Sequence, residues 1–220
     1  APETTIRGRF SCLYRYLFGK ADRVVVLSEY WKREVMKEVP TANVVVIYNP
    51  CLAEVKNLAV GCIEYKGEQL KVHSILYAGT VNHRKGYADM VKAFAKIAHS
   101  HKDWQIVFAG NGEIEQGKAL AESLGISSQT KWLGWVRGDE KDKAFREASI
   151  FCLPSYAEGF PMSVLDAWSY GLPVITTPVG GIPDVAKDGE NMLLFNPGDV
   201  DALADCMDRM IYNKNLRDKM

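Results

Sequence analysis

The chain is poor in cysteine and has no cysteine pattern. Cys12, Cys51, Cys62, Cys152 and Cys206 are odd in number and widely spread, with no CxxC pair. That argues against a disulfide framework or a zinc ribbon and points to a reducing, cytoplasmic compartment. No charge of one sign dominates: 27 Lys and Arg stand against 27 Asp and Glu. A nucleic-acid binder that works by bulk charge would carry a basic excess, so no nucleic acid is expected as a partner. Long hydrophobic runs are also missing. VVVL at 24–27 and VVVI at 44–47 are strand-sized, far short of the roughly 20 apolar residues that cross a bilayer. Arg7, Arg9, Arg15 and Lys20 interrupt the apolar residues of the first twenty, so no secretory signal is read there. What is present is an ordinary globular composition: 47% apolar and 25% charged over 220 residues. That suffices for one large domain or one and a half average ones.

Periodicity divides the chain into alternating strands and helices. Two short apolar runs, 24–27 and 44–48, read as buried parallel strands around a helix that Ser28 caps. Residues 51–70 show no period and read as a linker. From there strands are predicted at 72–78, 105–109, 130–133, 149–153, 173–176 and 192–195. Helices are predicted at 86–99, 114–124, 139–148, 162–170, 183–187 and 199–213. Strand–helix–strand in this rhythm implies parallel pairing with right-handed crossovers. The class is α/β, a Rossmann-like doubly wound parallel sheet. Ligands of such sheets bind at the carboxyl ends of the strands.

Three stretches follow strand ends. The first is PSYAEGFPMSVLDAW, Pro154 to Trp168. Pro161 suits a helix start, and the N–H groups of Met162 and Ser163 would face a phosphate at that helix N-terminus. Glu158 precedes the helix and Asp166 stands eight residues later, so both carboxylates can face one pocket. Alternatively, Glu158 complements the helix dipole and Asp166 is a solvated face residue. The second is YAGTVNHRKG, Tyr77 to Gly86, where Arg84 and Lys85 suit a diphosphate or are two surface charges. The third is FAGNGEIEQGKAL, Phe108 to Leu120. Gly112, Gly117 and Lys118 fit GxxxxGK, but Ala119 lacks the hydroxyl a P-loop needs for magnesium. Glu115 occupies the third glycine position of GxGxxG. Gly110 and Gly112 read instead as small residues that let a ligand approach the backbone. Asp199 and Asp201 form a DxD, which at a helix start reads as capping; no metal site is expected. The first twenty residues carry four cations and one acid, formal charge +3, with interleaved aromatics. A membrane-surface helix and a packing helix both fit them.

At these residues the sequence resembles the retaining glycosyltransferases of family 4, the group 1 transferases, which have the two-domain GT-B fold. AGTVNHRKG, FAGNGE, WLGWV, LPSYAEGFPMSVLDAWSYGLPVITT, GGIPDV and DGENMLLFNPGDVDAL occur in the family order between residues 72 and 213. ADRVVVLSEYWKREV and VVVIYNP are similar to the end of the family's N-terminal domain. The resemblance implies that 1–50 is a remnant of the acceptor-side domain and 71–220 the C-terminal nucleotide-sugar-binding domain. It also implies an expressed fragment of a longer enzyme, with the rest of the N-terminal domain as a missing partner.

The resemblance further implies roles for individual residues. Glu158 would contact the donor sugar near the reacting carbon. Asp166, one methylene shorter than the Glu the family places there, would hold the ribose hydroxyls. Lys85 would bind the diphosphate. Thr80 replaces the Arg that many members carry after the glycine matching Gly79, and Arg84 would supply that second cation. The loop at Val136 and Arg137 would face the base. Gly110, Gly159, Phe160, Met162 and Ser163 complete the expected donor contacts. No cofactor is implied; the donor would be a UDP-sugar or GDP-sugar and the acceptor a saccharide or lipid-linked hydroxyl. The expected reaction is hexosyl transfer with retention, in polysaccharide or glycoconjugate synthesis, at the cytoplasmic side or peripherally at the inner membrane face. The alternatives are a nucleotide-sugar-binding module without activity of its own, a GT-B-fold epimerase or phosphorylase, and a nucleotide-dependent dehydrogenase or ATPase. The failed glycine motifs disfavour the last of these.

Overall fold

The computed structural model describes residues 11–50 and 73–220. The expected linker, Cys51 and Cys62 lie outside the described residues. Cys12, Cys152 and Cys206 are free thiols. The chain divides into two compact units. The smaller holds residues 11–50, 157–162 and 178–186; the larger holds 73–156, 163–177 and 187–220.

In the smaller unit, helix α1 (Ser11–Lys20) precedes strand β1 (Val24–Val26), helix α2 (Glu29–Glu38) and strand β2 (Val44–Val46). β1 and β2 pair in parallel, residue for residue from Val24 with Val44. Ser28 caps α2 by accepting from the Trp31 N–H, as its position predicts. Val35, Val39, Ala42 and Val44 form a small core that Phe18 of α1 packs against. α1 is thus a packing helix on one side, while Leu13, Tyr16 and Leu17 are exposed.

In the larger unit, six parallel strands run in the order β5-β4-β3-β6-β7-β8. They are β3 (Ser74–Ala78), β4 (Gln105–Ala109), β5 (Thr130–Gly134), β6 (Ile150–Leu153), β7 (Val174–Thr176) and β8 (Leu193–Leu194). Continuous apolar runs such as IFCL are buried along their whole length, as strands covered on both faces must be. The intervening helices are α3 (Tyr87–Ile97), α4 (Ile114–Ser123), α5 (Asp139–Glu147), α6 (Met162–Ser169), α7 (Val200–Tyr212) and α8 (Lys214–Lys219). α3 buries Tyr87, Met90, Val91 and Phe94, one helical stripe, and packs against α7, which buries Leu203, Met207, Met210 and Ile211. The helix predicted at 183–187 is a short 3-10 turn, Ile182–Asp184. Past it, Gly189 donates to the Met192 carbonyl at 2.9 Å, and Asp188 accepts from the Leu194 N–H at 2.9 Å.

The strand order places the reversal of direction between β3 and β6. From β3 the chain winds outward through β4 to β5, then returns to β6 and winds the other way. That is the point where an open α/β sheet forms its ligand crevice. The loop that opens on it after β3 carries the RKG stretch.

Candidate functional site

The loop after β3 is held rigidly. Tyr77 donates its hydroxyl to the Thr80 carbonyl at 2.7 Å. Asn82 caps the 3-10 turn His83–Lys85 by accepting from the Lys85 N–H at 3.0 Å. Gly86 ends that turn at φ 72°, and a Cβ there would lie 1.9 Å from the Pro154 carbonyl oxygen. Only glycine gives both the left-handed conformation and this approach to the end of β6. Arg84 is exposed and Lys85 half-buried. The Lys85 Cε lies 3.9 Å from where a Gly79 side chain would start, so the lysine runs back over the bare backbone of Gly79. Gly79, Thr80, Arg84 and Lys85 are therefore brought together as a cationic turn at the switch point.

The loop after β4 runs beside it. Gly79 donates to the Ala109 carbonyl and Val81 to that of Asn111. A Cβ on Gly110 would sit 1.8 Å from the Gly79 carbonyl oxygen, so Gly110 is there to let the two loops touch. Gly117 has a different neighbour. Its missing Cβ would lie 2.3 Å from the Trp132 ring, which stacks on Phe108 with centroids 4.1 Å apart. The partial GxxxxGK is thus a packing pattern, and Lys118 pairs with Glu115 at 2.8 Å.

Sequence reasoning missed Tyr156. Its N–H donates to the Arg84 carbonyl at 2.8 Å, and its ring stacks on His83 with centroids 5.0 Å apart. Its hydroxyl donates to the buried Asp89 at 2.7 Å. The Asp89 carboxylate, with burial second, pushes the Tyr156 phenol up to about 12. The available signal was an aromatic directly after β6 and an acid in the first turn of α3. Lys141 was missed as well. Its ammonium lies 2.7 Å from the Asp166 carboxylate and 5.7 Å from the Phe145 ring centre.

At the end of β5, Val136 is half-buried and Arg137 exposed. Val136 also lines a cavity of about 250 Å³ with Val107, Lys131, Leu133 and Ala144. That cavity is below the 300–1,000 Å³ of an ordinary ligand pocket, and none of the other expected donor residues line it. Ser163, on α6, is half-buried in the larger unit.

Glu158, Gly159, Phe160 and Met162 belong to the smaller unit. Glu158 is buried, at 8% exposure. Gly180, at φ 60°, has no room for a side chain, because a Cβ would meet the Glu158 carbonyl oxygen at 2.3 Å. Gly181 would meet the Phe160 ring at 2.4 Å. The GGIPD stretch is thus the wall behind the Glu158 loop. Asp199 caps α7 by accepting from the Ala202 N–H at 2.9 Å, and Asp201 pairs with Lys96 at 2.5 Å. The DxD is therefore a helix start, as read. Among the described residues no three His, Cys, Asp or Glu gather as metal ligands, and no helix is long and apolar enough to cross a membrane.

A cationic turn at the switch point of a Rossmann-like sheet suits an anionic ligand, and the family match is in keeping with it. Residues 64–220 match the model of the glycosyl transferases group 1 family. The chain belongs to that family. It is 29% identical over 196 residues to the lipopolysaccharide 1,6-galactosyltransferase of Salmonella typhimurium, covering 87% of this chain and 53% of that one. The lipopolysaccharide outer core galactosyltransferase WaaB, in its apo form, superposes with a TM-score of 0.69 at 28% identity, over 87% of this chain and 53% of that one. Anabaena HepE, solved with UDP and glucose, superposes with a TM-score of 0.81 at 16% identity, over all of this chain and 61% of that one, a likeness of fold. The structural neighbours are GT-B glycosyltransferases, and the group 1 chain has the α/β fold with the parallel sheet of that architecture. It spans about half the length of the curated relatives it matches.

Proposed function

We propose that this glycosyltransferase domain binds the diphosphate of a nucleotide-sugar donor, a UDP-sugar or GDP-sugar, on the His83–Lys85 turn. One observation carries the reading: two cations, Arg84 and Lys85, are fixed by the Asn82 cap and Gly86 at the β3/β6 switch point. The amides of Met162 and Ser163 at the start of α6 add donors to the phosphate oxygens. Asp166 takes the ribose hydroxyls, and the Val136–Arg137 loop the base. Glu158 orients the sugar.

The reaction is transfer to an acceptor hydroxyl with retention, in the manner of family 4, by the enzyme formed with an acceptor-binding half. The bond from the anomeric carbon to the diphosphate oxygen breaks, and the nucleoside diphosphate leaves with the electron pair. The acceptor oxygen bonds to the same face of that carbon, and its proton passes to the departing phosphate. Charge grows on the leaving group as the bond breaks. Preorganised cations stabilise that charge more than the ground state, which is what lowers the barrier. The lipopolysaccharide enzyme among the relatives supports a saccharide or lipid-linked acceptor in polysaccharide synthesis; a cytoplasmic, membrane-peripheral place is proposed with it.

A thermal-shift panel with UDP, GDP, ADP and CMP, with and without EDTA, tests this. Ligand at 100 times its dissociation constant adds about 2.7 kcal/mol, a rise of roughly 5–10 °C at this size. A selective, EDTA-insensitive rise that Lys85→Ala removes is expected. No rise with any diphosphate would sink the reading. Because the chain covers 53% of the galactosyltransferase it resembles, a second reading stands beside this one: binding of donor without transfer by this chain alone. Product analysis with and without added acceptor distinguishes the two.

A further inference from the structure

The loop that carries Glu158 has no secondary structure of its own, so its backbone polar groups need partners from elsewhere. Three consecutive carbonyls find them in three different segments of the smaller unit. The indole N–H of Trp31, in α2, donates to the Glu158 carbonyl at 3.1 Å. The Gly181 N–H donates to the Gly159 carbonyl at 2.7 Å. The Asn49 side-chain amide, just after β2, donates to the Phe160 carbonyl at 3.1 Å.

The donors are themselves held in place. Trp31 is buried at 8% exposure, and its backbone N–H is taken by the Ser28 cap. The preceding Glu29 N–H donates to Asp184 at 2.7 Å, which ties the start of α2 to the turn after Gly181. Tyr48, next to Asn49, packs edge-on against Phe160 with centroids 6.1 Å apart. A carboxylate that must meet a sugar hydroxyl within a fraction of an ångström needs this kind of support, because loose supporting groups cost rate steeply.

We infer that Trp31 and Asn49 are positioning residues that fix the loop so that the Glu158 carboxylate is held for the donor sugar. Both lie outside residues 64–220, the span of the family match, so the match assigns them nothing. The inference rests on the reading of Glu158 as the contact to the donor sugar.

A double-mutant cycle on turnover by the full-length enzyme tests it, with rates counted per folded molecule and the donor taken from the nucleotide panel. Trp31→Phe keeps an aromatic ring and removes the indole N–H; Asn49→Ala removes the amide. Each is expected to lower kcat about tenfold, the loss that a small displacement of a positioned reacting group produces, with donor KM within about twofold because the cations that grip the diphosphate sit on the His83–Lys85 turn. In a Glu158→Gln background neither should add more than about twofold, because each acts through Glu158. An effect on turnover independent of Glu158 would multiply the losses instead, and that result overturns the inference. So does turnover within about twofold of the parent in both single variants while Glu158→Gln is slow. If Trp31→Phe does not fold, Asn49→Ala carries the same cycle alone. If Glu158→Gln itself turns over normally, the functional reading of Glu158 fails, and the inference falls with it.

Discussion

The Lys141 ammonium reaches the Asp166 carboxylate at 2.7 Å, from the first turns of α5 to the second turn of α6. Asp166 is one methylene shorter than glutamate, and this pairing sets where its carboxylate stands. Lys141 is 40% exposed and Asp166 20%, so solvent screens the pair. Pairs of this kind contribute about 0.2–1 kcal/mol. Lys141→Met should therefore weaken donor binding by no more than about fivefold, whereas Asp166→Ala should weaken it about tenfold or more through lost ribose bonds. Calorimetric titration with the nucleotide that shifts the melting temperature checks both. A larger loss in Lys141→Met than in Asp166→Ala would mean that the lysine, and not the aspartate, meets the ribose.

The two cations of the 3-10 turn differ in setting. Lys85 is half-buried over Gly79, and Arg84 is exposed. A charge-assisted contact made to a leaving phosphate stabilises the transition state by about 2–4 kcal/mol, roughly 30- to 1,000-fold in rate. Lys85→Ala in the full-length enzyme should fall in that range. Arg84→Ala should cost less, and its effect should shrink with added salt. Steady-state rates at two ionic strengths separate them. Unchanged turnover in Lys85→Ala would remove the lysine from the site.

Gly117→Ala tests whether the GxxxxGK resemblance has functional content. The new methyl carbon would lie 2.3 Å from the Trp132 ring, which is already stacked on Phe108. Overpacking costs about 1–3 kcal/mol, and the gain from replacing glycine in a helix offsets only about 1 kcal/mol of it. The melting temperature should fall by a few degrees, about 2–6 °C. Nucleotide affinity per folded molecule should not change. Lost affinity at an unchanged melting temperature would return the glycine to a phosphate site.

Tyr156 predicts an alkaline signature. Its folded-state value is pushed up to about 12, first by its hydrogen bond to Asp89 and then by burial, while an unfolded tyrosine titrates near 10. Between these values the unfolded chain has lost a proton that the folded chain keeps. Stability from this group is therefore fully present below about pH 10 and is lost as pH rises through about 12. Tyr156→Phe should make the fall in melting temperature above pH 10 shallower, and Tyr170, also pushed up to about 12, should leave part of that slope. An identical slope in Tyr156→Phe would show that the Asp89 bond does not form in solution.

Much of the architecture was already determined by local sequence. Buried strands such as IFCL and QIVFA are apolar along their length. Caps such as Ser28 and Asp199 mark helix starts, and the Asn82–Gly86 frame of the cationic turn is a local pattern. These features depend on neighbours within a few residues, so periodicity and turn chemistry reveal them. The turn at Ile182–Asp184 is shorter than the helix predicted at 183–187, and the tight Gly189–Met192 turn follows it.

The tertiary structure alone decided which side chains support which. Trp31 meets Glu158 from 127 residues away, Tyr156 meets Asp89 from 67 and Lys141 meets Asp166 from 25. No period or spacing encodes such pairs; they arise when the sheet order brings strand ends together. Gly117 shows the same division from the other side. Its spacing to Lys118 is a pattern in the sequence, but its meaning is the Trp132 ring, which only the packing of α4 on β5 supplies. The sequence by itself determined the capped cationic turn after β3, because Asn82 and Gly86 frame it within a few residues. The fold decided which distant side chains meet that turn, because such contacts are long-range.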